Sequence, residues 1–288
     1  MEPAARFRRE TRAFQEAARR AAGAAPAVPS CPGWSVADLL IHLGAVHRSV
    51  FSIITDRLDR PPDASDLSFA GLPADLTGWP DPQNAPNLGP ILDEVLDWFE
   101  EGAARLGALF DERAAGDPTW TWSKEQTVGF WVRMQTIEAA VHRWDAENAV
   151  GVPRPIAEDV AADAVTQTFE VMAPARREWT QAPAGAGERF RFRRTDGEDD
   201  WAVHFDGPDV RLSLGPDVRL SLGPDVRLSL GPDVRLSLGP DGGRFDVELA
   251  GSASDLMLFL WHRIPADGLD VRGDKSMLDR YFALVPPV

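Results

Sequence analysis

The chain has 288 residues, 44% of them hydrophobic and 26% charged, with 45 acidic side chains against 30 basic ones and a formal charge of −15. That length allows one large or two ordinary domains, and the apolar share excludes a wholly disordered chain. The acidic balance argues against nucleic acid or an anionic membrane face as a partner, and a single cysteine excludes an internal disulfide or a Cys-rich zinc knuckle.

No uninterrupted run of about 18 apolar residues is present, and the opening MEPAARFRRETRAF lacks the apolar stretch of a signal peptide. The expectation is a cytoplasmic protein with no membrane contact. Taken in chain order, Phe7, Phe14 and Ala18 predict a helix over about 4–24, closed by Pro26, Pro29 and Pro32. Ser35 and Asp38 form a capping-box-like pair at the head of a second helix, which Val36, Leu39, Leu40, Leu43, Val46 and Val50 carry to about residue 58. Residues 61–90 are rich in Pro, Gly and Asp and read as a long loop. Ile91, Val95, Phe99 and Leu106 predict a third helix over about 90–115; Phe130, Met134, Ile137 and Val141 predict a fourth over about 124–150. Four such helices suggest an antiparallel four-helix bundle over 1–152, ended by Pro153 and Pro155.

The remainder, 153–288, reads as an α+β domain: a helix over 157–177, strands at 189–194, 201–206 and 244–250, a helix opened by Ser252, the segment 269–273 and a last helix over 275–284. Within it GPDVRLSL occurs four times without error, at 207–214, 215–222, 223–230 and 231–238, followed by a fifth GPD at 239–241. Val, Leu and Leu fall on one face of each copy, and Gly-Pro-Asp suits a turn, so the copies predict a meander of short strands extending the domain's sheet. The competing reading is an unstructured insertion.

Of the five histidines, His142 stands four residues after Glu138. Four residues are about 400° of helix, so the two share a face. With an imidazole from a facing helix they would make a three-ligand divalent metal site, its fourth position open to water or substrate. Glu138 lies between Ile137 and Val141, where an unpaired carboxylate is costly. Periodicity alone leaves open which histidine of the second helix joins: His42 and His47 lie about 140° apart, and His47 is nearer the centre of the apolar stripe.

CPGWSVADLLIHLGAVHR (31–48), FWVRMQTIEAAVHRWDAE (130–147) and GSASDLMLFLWHRIPADGLDVRGD (251–274) resemble, in order, segments of the mycothiol-dependent maleylpyruvate isomerase family. The family is a branch of the DinB/YfiT-like metal-binding bundles with an α+β C-terminal domain. The resemblance implies that His42, Glu138 and His142 are the metal ligands, the ion usually zinc, and that mycothiol is a cosubstrate. A free thiol is mostly protonated at neutral pH; coordinated to zinc it ionises and becomes a nucleophile. In maleylpyruvate isomerisation the thiolate would add to the cis double bond, allow rotation about the new single bond and leave from the trans product. Other members transfer the thiol to an electrophile. Arg263 falls in the third segment and suits the carboxylate of an anionic substrate, or an ordinary helix end. Asp145 reads as an exposed helix-end residue in preference to a partner of His142. Cys31 reads as packing in preference to a nucleophile. His204 and His262 read as packing or surface, and most of the ten tryptophans as core. The rival functions are a non-catalytic metal- or ligand-binding module, whose site protein ligands would close, and a zinc hydrolase.

Overall fold

The computed structural model describes residues 3–62, 67–214 and 245–287. The chain divides into two compact units, Met1–Ile156 and Ala157–Val288.

The first unit is helical. Its four long helices are α1 (Pro3–Ala21), α2 (Val36–Thr55), α3 (Asp93–Glu112) and α4 (Val128–Ala149). α1 packs on α3 and α4, and α2 packs on α3 and α4. Phe14, Leu39, Leu40, Leu43, Val95 and Phe99 form the middle of the shared core. α1 and α3 each bury one face, as their periodicity predicts, whereas α4 buries side chains on every face. Among the described residues α2 is the one helix long and apolar enough to cross a membrane by length and composition, yet most of it is buried within the unit. It also carries Asp38, His42, His47 and Arg48.

Two features set how closely these helices approach. Trp98 of α3 lies against Gly44 of α2 so tightly that a Cβ there would fall within 2.1 Å of the indole. The Arg48 guanidinium lies 4.2 Å over the same indole and donates to the Trp98 carbonyl at 2.7 Å. Elsewhere in the unit a buried ionic network joins α1 to α4. Arg143 donates from Nε to Glu10 at 3.0 Å and from Nη1 to Glu147 at 2.7 Å, and its other bonds go to the Arg154 and Pro155 carbonyls. Arg154 closes on Glu147 from the far side.

The predicted loop 61–90 holds two short 3-10 turns, Leu67–Ala70 and Pro82–Asn84, and the Ala85–Pro86 peptide is cis.

The second unit combines helices with a mixed five-stranded sheet. Its strands are β1 (Gly185–Arg194), β2 (Asp200–Gly207), β3 (Asp209–Leu214), β4 (Val247–Gly251) and β5 (Asp270–Gly273), ordered β3-β2-β1-β4-β5. β1 runs parallel to β4, and the other pairs are antiparallel. Alternation places Phe190 and Phe192 of β1 with Trp201, Val203 and Phe205 of β2 on the buried face. The helix expected over 157–177 is interrupted. α5 (Glu158–Gln167) passes into a π-turn, Thr168–Met172, before α6 (Ala173–Trp179). Pro174 has no N–H to donate to the preceding turn, and one widened turn accommodates that. α7 (Ala253–Leu260) and α8 (Met277–Leu284) complete the unit. Of the octapeptide copies, the first forms β3 and pairs antiparallel with β2, Val203 opposite Leu212. Residues 215–244, with the other three copies and the fifth GPD, lie outside the described residues.

Candidate metal centre

The site is assembled by the starts and lengths of α2 and α4. Ser35 caps α2 in a complete capping box: its hydroxyl accepts from the Asp38 amide at 3.3 Å, and the Asp38 carboxylate accepts from the Ser35 amide at 2.8 Å. That carboxylate also takes the Asn87 amide at 3.0 Å and the Asn87 side chain at 2.5 Å, tying the end of the long loop to the head of α2. Burial raises the Asp38 pKa, but these bonds outweigh it and leave the carboxyl below its ordinary value. α4 is capped by the Thr127 hydroxyl, which accepts from the Phe130 amide at 3.2 Å.

α2 presents His42 to the middle of α4. Its Nε2–H donates to Glu138 Oε1 at 3.0 Å, and the amide of Gln135 donates to Glu138 Oε2 at 3.0 Å. The His42 and His142 rings stand edge to face at 5.2 Å, and Trp34 closes on His42 at the same distance. One donor atom each from His42, Glu138 and His142 lie within 4.8 Å of one another. His142 Nδ1–H donates to Asp145 at 2.9 Å, which leaves Nε2 with its lone pair free. The Glu138 side chain is 15% exposed, and among the described residues no lysine or arginine pairs with it. Burial pushes its pKa up, but the His42 bond and the nearby imidazoles of His42, His142 and His47 pull further the other way, to about 2. A buried carboxylate flanked by imidazoles and an amide, with no permanent cation beside it, suits a divalent ion. Two imidazoles and one carboxylate are also a borderline donor set of the kind zinc accepts.

Several side chains differ from their sequence reading. Asp145 is fully buried, not an exposed helix end, and it is a hub: it accepts from His142, from the Ser30 hydroxyl at 2.6 Å and from the Cys31 thiol at 3.3 Å. Cys31 is half-buried and forms a second cluster of potential ligands with His142 and Asp145. His47, central to the apolar stripe, points into the core. It packs edge-on against Phe7 at 5.1 Å and at a tilt against Phe99 at 5.6 Å, and among the described residues neither nitrogen has a hydrogen-bond partner. Burial depresses its pKa to about 3. His142 is also lowered by burial, with Asp145 pulling partly back. Arg263 lies in the second unit, half-buried just beyond α7, with Nη1 bonded to the Trp261 carbonyl at 2.8 Å. His262 is exposed against Phe282, and His204 is on β2. Gln135 and Ser30 were not singled out by the sequence. Gln135 precedes Glu138 by three residues on the same helical face, so spacing could have found it. Ser30 reaches Asp145 only because the proline-rich turn folds back, which no local pattern encodes.

Known proteins agree with this architecture. No curated protein sequence matches the chain. The fold is similar to the crystal structure of the mycothiol-dependent maleylpyruvate isomerase (TM-score 0.55, 13% identity, covering 94% of this chain and 91% of that one). It is equally similar to a histidine-to-alanine mutant of that isomerase (TM-score 0.55, 14% identity, the same coverage). At such identities the likeness is one of fold. Residues 4–147, which span α1 to α4 and contain His42, Glu138 and His142, match the family model of the mycothiol maleylpyruvate isomerase N-terminal domain, and the chain belongs to that family.

Proposed function

We propose that this protein is a thiol-dependent enzyme of the maleylpyruvate isomerase type. In this reading α1–α4 form a DinB-like four-helix bundle that holds a divalent metal, zinc by preference, through His42, Glu138 and His142. The observation that carries it is the convergence of these three donor atoms within 4.8 Å, although His42 and Glu138 stand 96 positions apart in the chain. When bound, the ion supplies a Lewis acid that ionises a thiol and leaves it nucleophilic at neutral pH. The protein's own part is to hold that set ready. His42 yields its Nε2 proton on loading, Glu138 stays ionised because of its imidazole neighbours, and Asp145 fixes the His142 tautomer so that Nε2 carries the lone pair. The cosubstrate is a low-molecular-weight thiol, mycothiol, and the electrophile is a small unsaturated or otherwise activated acid, isomerised or S-conjugated. Arg263 is proposed as an anchor for an anionic group, tested by a raised KM with little change in kcat in Arg263→Ala.

The test combines metal analysis with a thiol-dependent assay. Purified protein should carry about one divalent ion per chain, and cobalt-substituted protein should develop a cobalt–thiolate absorption on adding mycothiol. Absence of that band at saturating thiol overturns the thiol chemistry. The His42→Ala variant should lose most of its metal, whereas His47→Ala should keep it.

The second cluster favours one alternative. Cys31 together with His142 and Asp145 could close the site with protein, as a non-catalytic metal-binding module would. Cys31→Ser separates the two readings: unchanged metal content and activity support the enzyme, and loss of metal supports the closed site.

A further inference from the structure

Gln135 is buried beside Glu138, and packing alone does not explain it. The two stand three residues apart on α4, on one face of the helix. Gln135 is 1% exposed, and its Nε2–H donates to Glu138 Oε2 at 3.0 Å. A carboxylate only accepts, so this contact fixes which end of the carboxamide faces it. The other end, Oε1, is buried and has no donor among the described residues. A buried acceptor left without a donor is destabilising, and a leucine or methionine of similar bulk would avoid that. What the amide supplies in return is its bond to Glu138.

The two oxygens of Glu138 are held by donors of different kinds. His42 Nε2–H donates to Oε1 at 3.0 Å. In the proposed metal site that nitrogen must give up its proton to become a ligand, so its bond to Oε1 is lost on loading. The Gln135 amide has no proton to lose at neutral pH, and its bond to Oε2 persists. Loading therefore separates the two oxygens: Oε1 is released from its donor and Oε2 keeps one. The amide hydrogen also places partial positive charge at Oε2, which opposes a cation there.

We propose that Gln135 is a positioning residue that holds Glu138 to coordination through one oxygen, Oε1, and so keeps a position open for the thiol. One carboxylate oxygen and two imidazole nitrogens fill three of the four positions that zinc prefers, whereas both oxygens together would take the fourth. This deepens the metal reading and rests on it.

The test uses the full-length, cobalt-substituted protein and the variant Gln135→Leu, which removes the donor and the orphaned acceptor together. The unsubstituted protein is measured first. Absence of an ion overturns the metal reading, absence of a cobalt–thiolate band with mycothiol overturns the thiol reading, and either takes this proposal with it. The variant should retain its ion, because Glu138 gains a second bond to it. Without thiol, its visible absorption should fall from the intense bands of four-coordinate cobalt to the weaker bands of five-coordinate cobalt. The mycothiol concentration that half-develops the cobalt–thiolate band should rise about tenfold. An unchanged spectrum, an unchanged midpoint or loss of the ion from the variant would each overturn the role of Gln135 while leaving the metal reading in place. Should Gln135→Leu fail to fold, a crystal structure of the zinc-loaded unsubstituted protein decides: Oε1 on the ion with Oε2 still on Gln135 supports the role, and both oxygens on the ion overturn it.

Discussion

His47 carries a cost that its neighbours do not repay. One of its nitrogens must hold a proton in an apolar pocket with nothing to receive it. With its folded-state pKa near 3 and an unfolded value of 6.5, the folded protein binds fewer protons than the unfolded chain between those limits. Stability is therefore full above pH 6.5 and is lost as pH falls toward 3, by up to about 1.4 kcal/mol per pH unit from this group alone. Glu138 adds a loss at lower pH, between 4.5 and about 2. His47→Leu should flatten the stability curve between pH 6.5 and 4 while leaving metal content unchanged, measured as urea midpoints across that range. Asp145 acts in the opposite sense, as an asset. Asp145→Asn preserves shape but weakens the acceptor that orients His142, and should reduce metal affinity by about 10- to 100-fold, read by competition against a chromophoric chelator. The same affinity should fall on acidification, because both imidazoles must be neutral to bind an ion.

At the level of elements, α2 is the part that organises the first unit. Its capping box was legible from Ser35 and Asp38, since the signature is local. That Asp38 would also receive Asn87, 49 residues away, was not, because it depends on how a loop without periodicity folds back. Asp38→Ala removes the cap and the loop anchor together. It should cost about 1–3 kcal/mol and speed hydrogen exchange in residues 81–88, where Ser35→Ala alone should cost about 1 kcal/mol. The α2–α3 approach rests on Gly44. A methyl there meets the Trp98 indole, against which Arg48 also packs, so Gly44→Ala should destabilise the unit by about 1–3 kcal/mol, measured by denaturant unfolding. Periodicity could place α2 and α3 but could not say which small residue admits their close crossing.

For the whole molecule, residues 1–156 expressed alone should fold and retain one divalent ion per chain, checked by circular dichroism and metal analysis; an unfolded product would place the metal reading in doubt. Pattern read from sequence located the helices of the first unit to within a few residues, because each has an apolar face at a regular period. It joined α5 and α6 into one helix, since a π-turn leaves composition unchanged and only Pro174 hinted at it. It brought Glu138 and His142 to one face through simple helix geometry, but the choice of His42 over His47 came from family likeness, because the wheel favours the residue that in fact faces the core. Asp145 was misread as exposed for a related reason: α4 is enclosed on all sides, so no polar face marks which charges are inside. The ionic network of Glu10, Arg143, Glu147 and Arg154 has a consequence for how this family member can drift. A neutral replacement of Arg143 takes a buried partner from both Glu10 and Glu147 at once, at a penalty of up to about 3–5 kcal/mol, a large part of a typical domain's margin. Viable descendants must therefore exchange these positions in concert, or convert them jointly to hydrocarbon, which makes α1 and α4 co-inherited surfaces whose histories can be read only together.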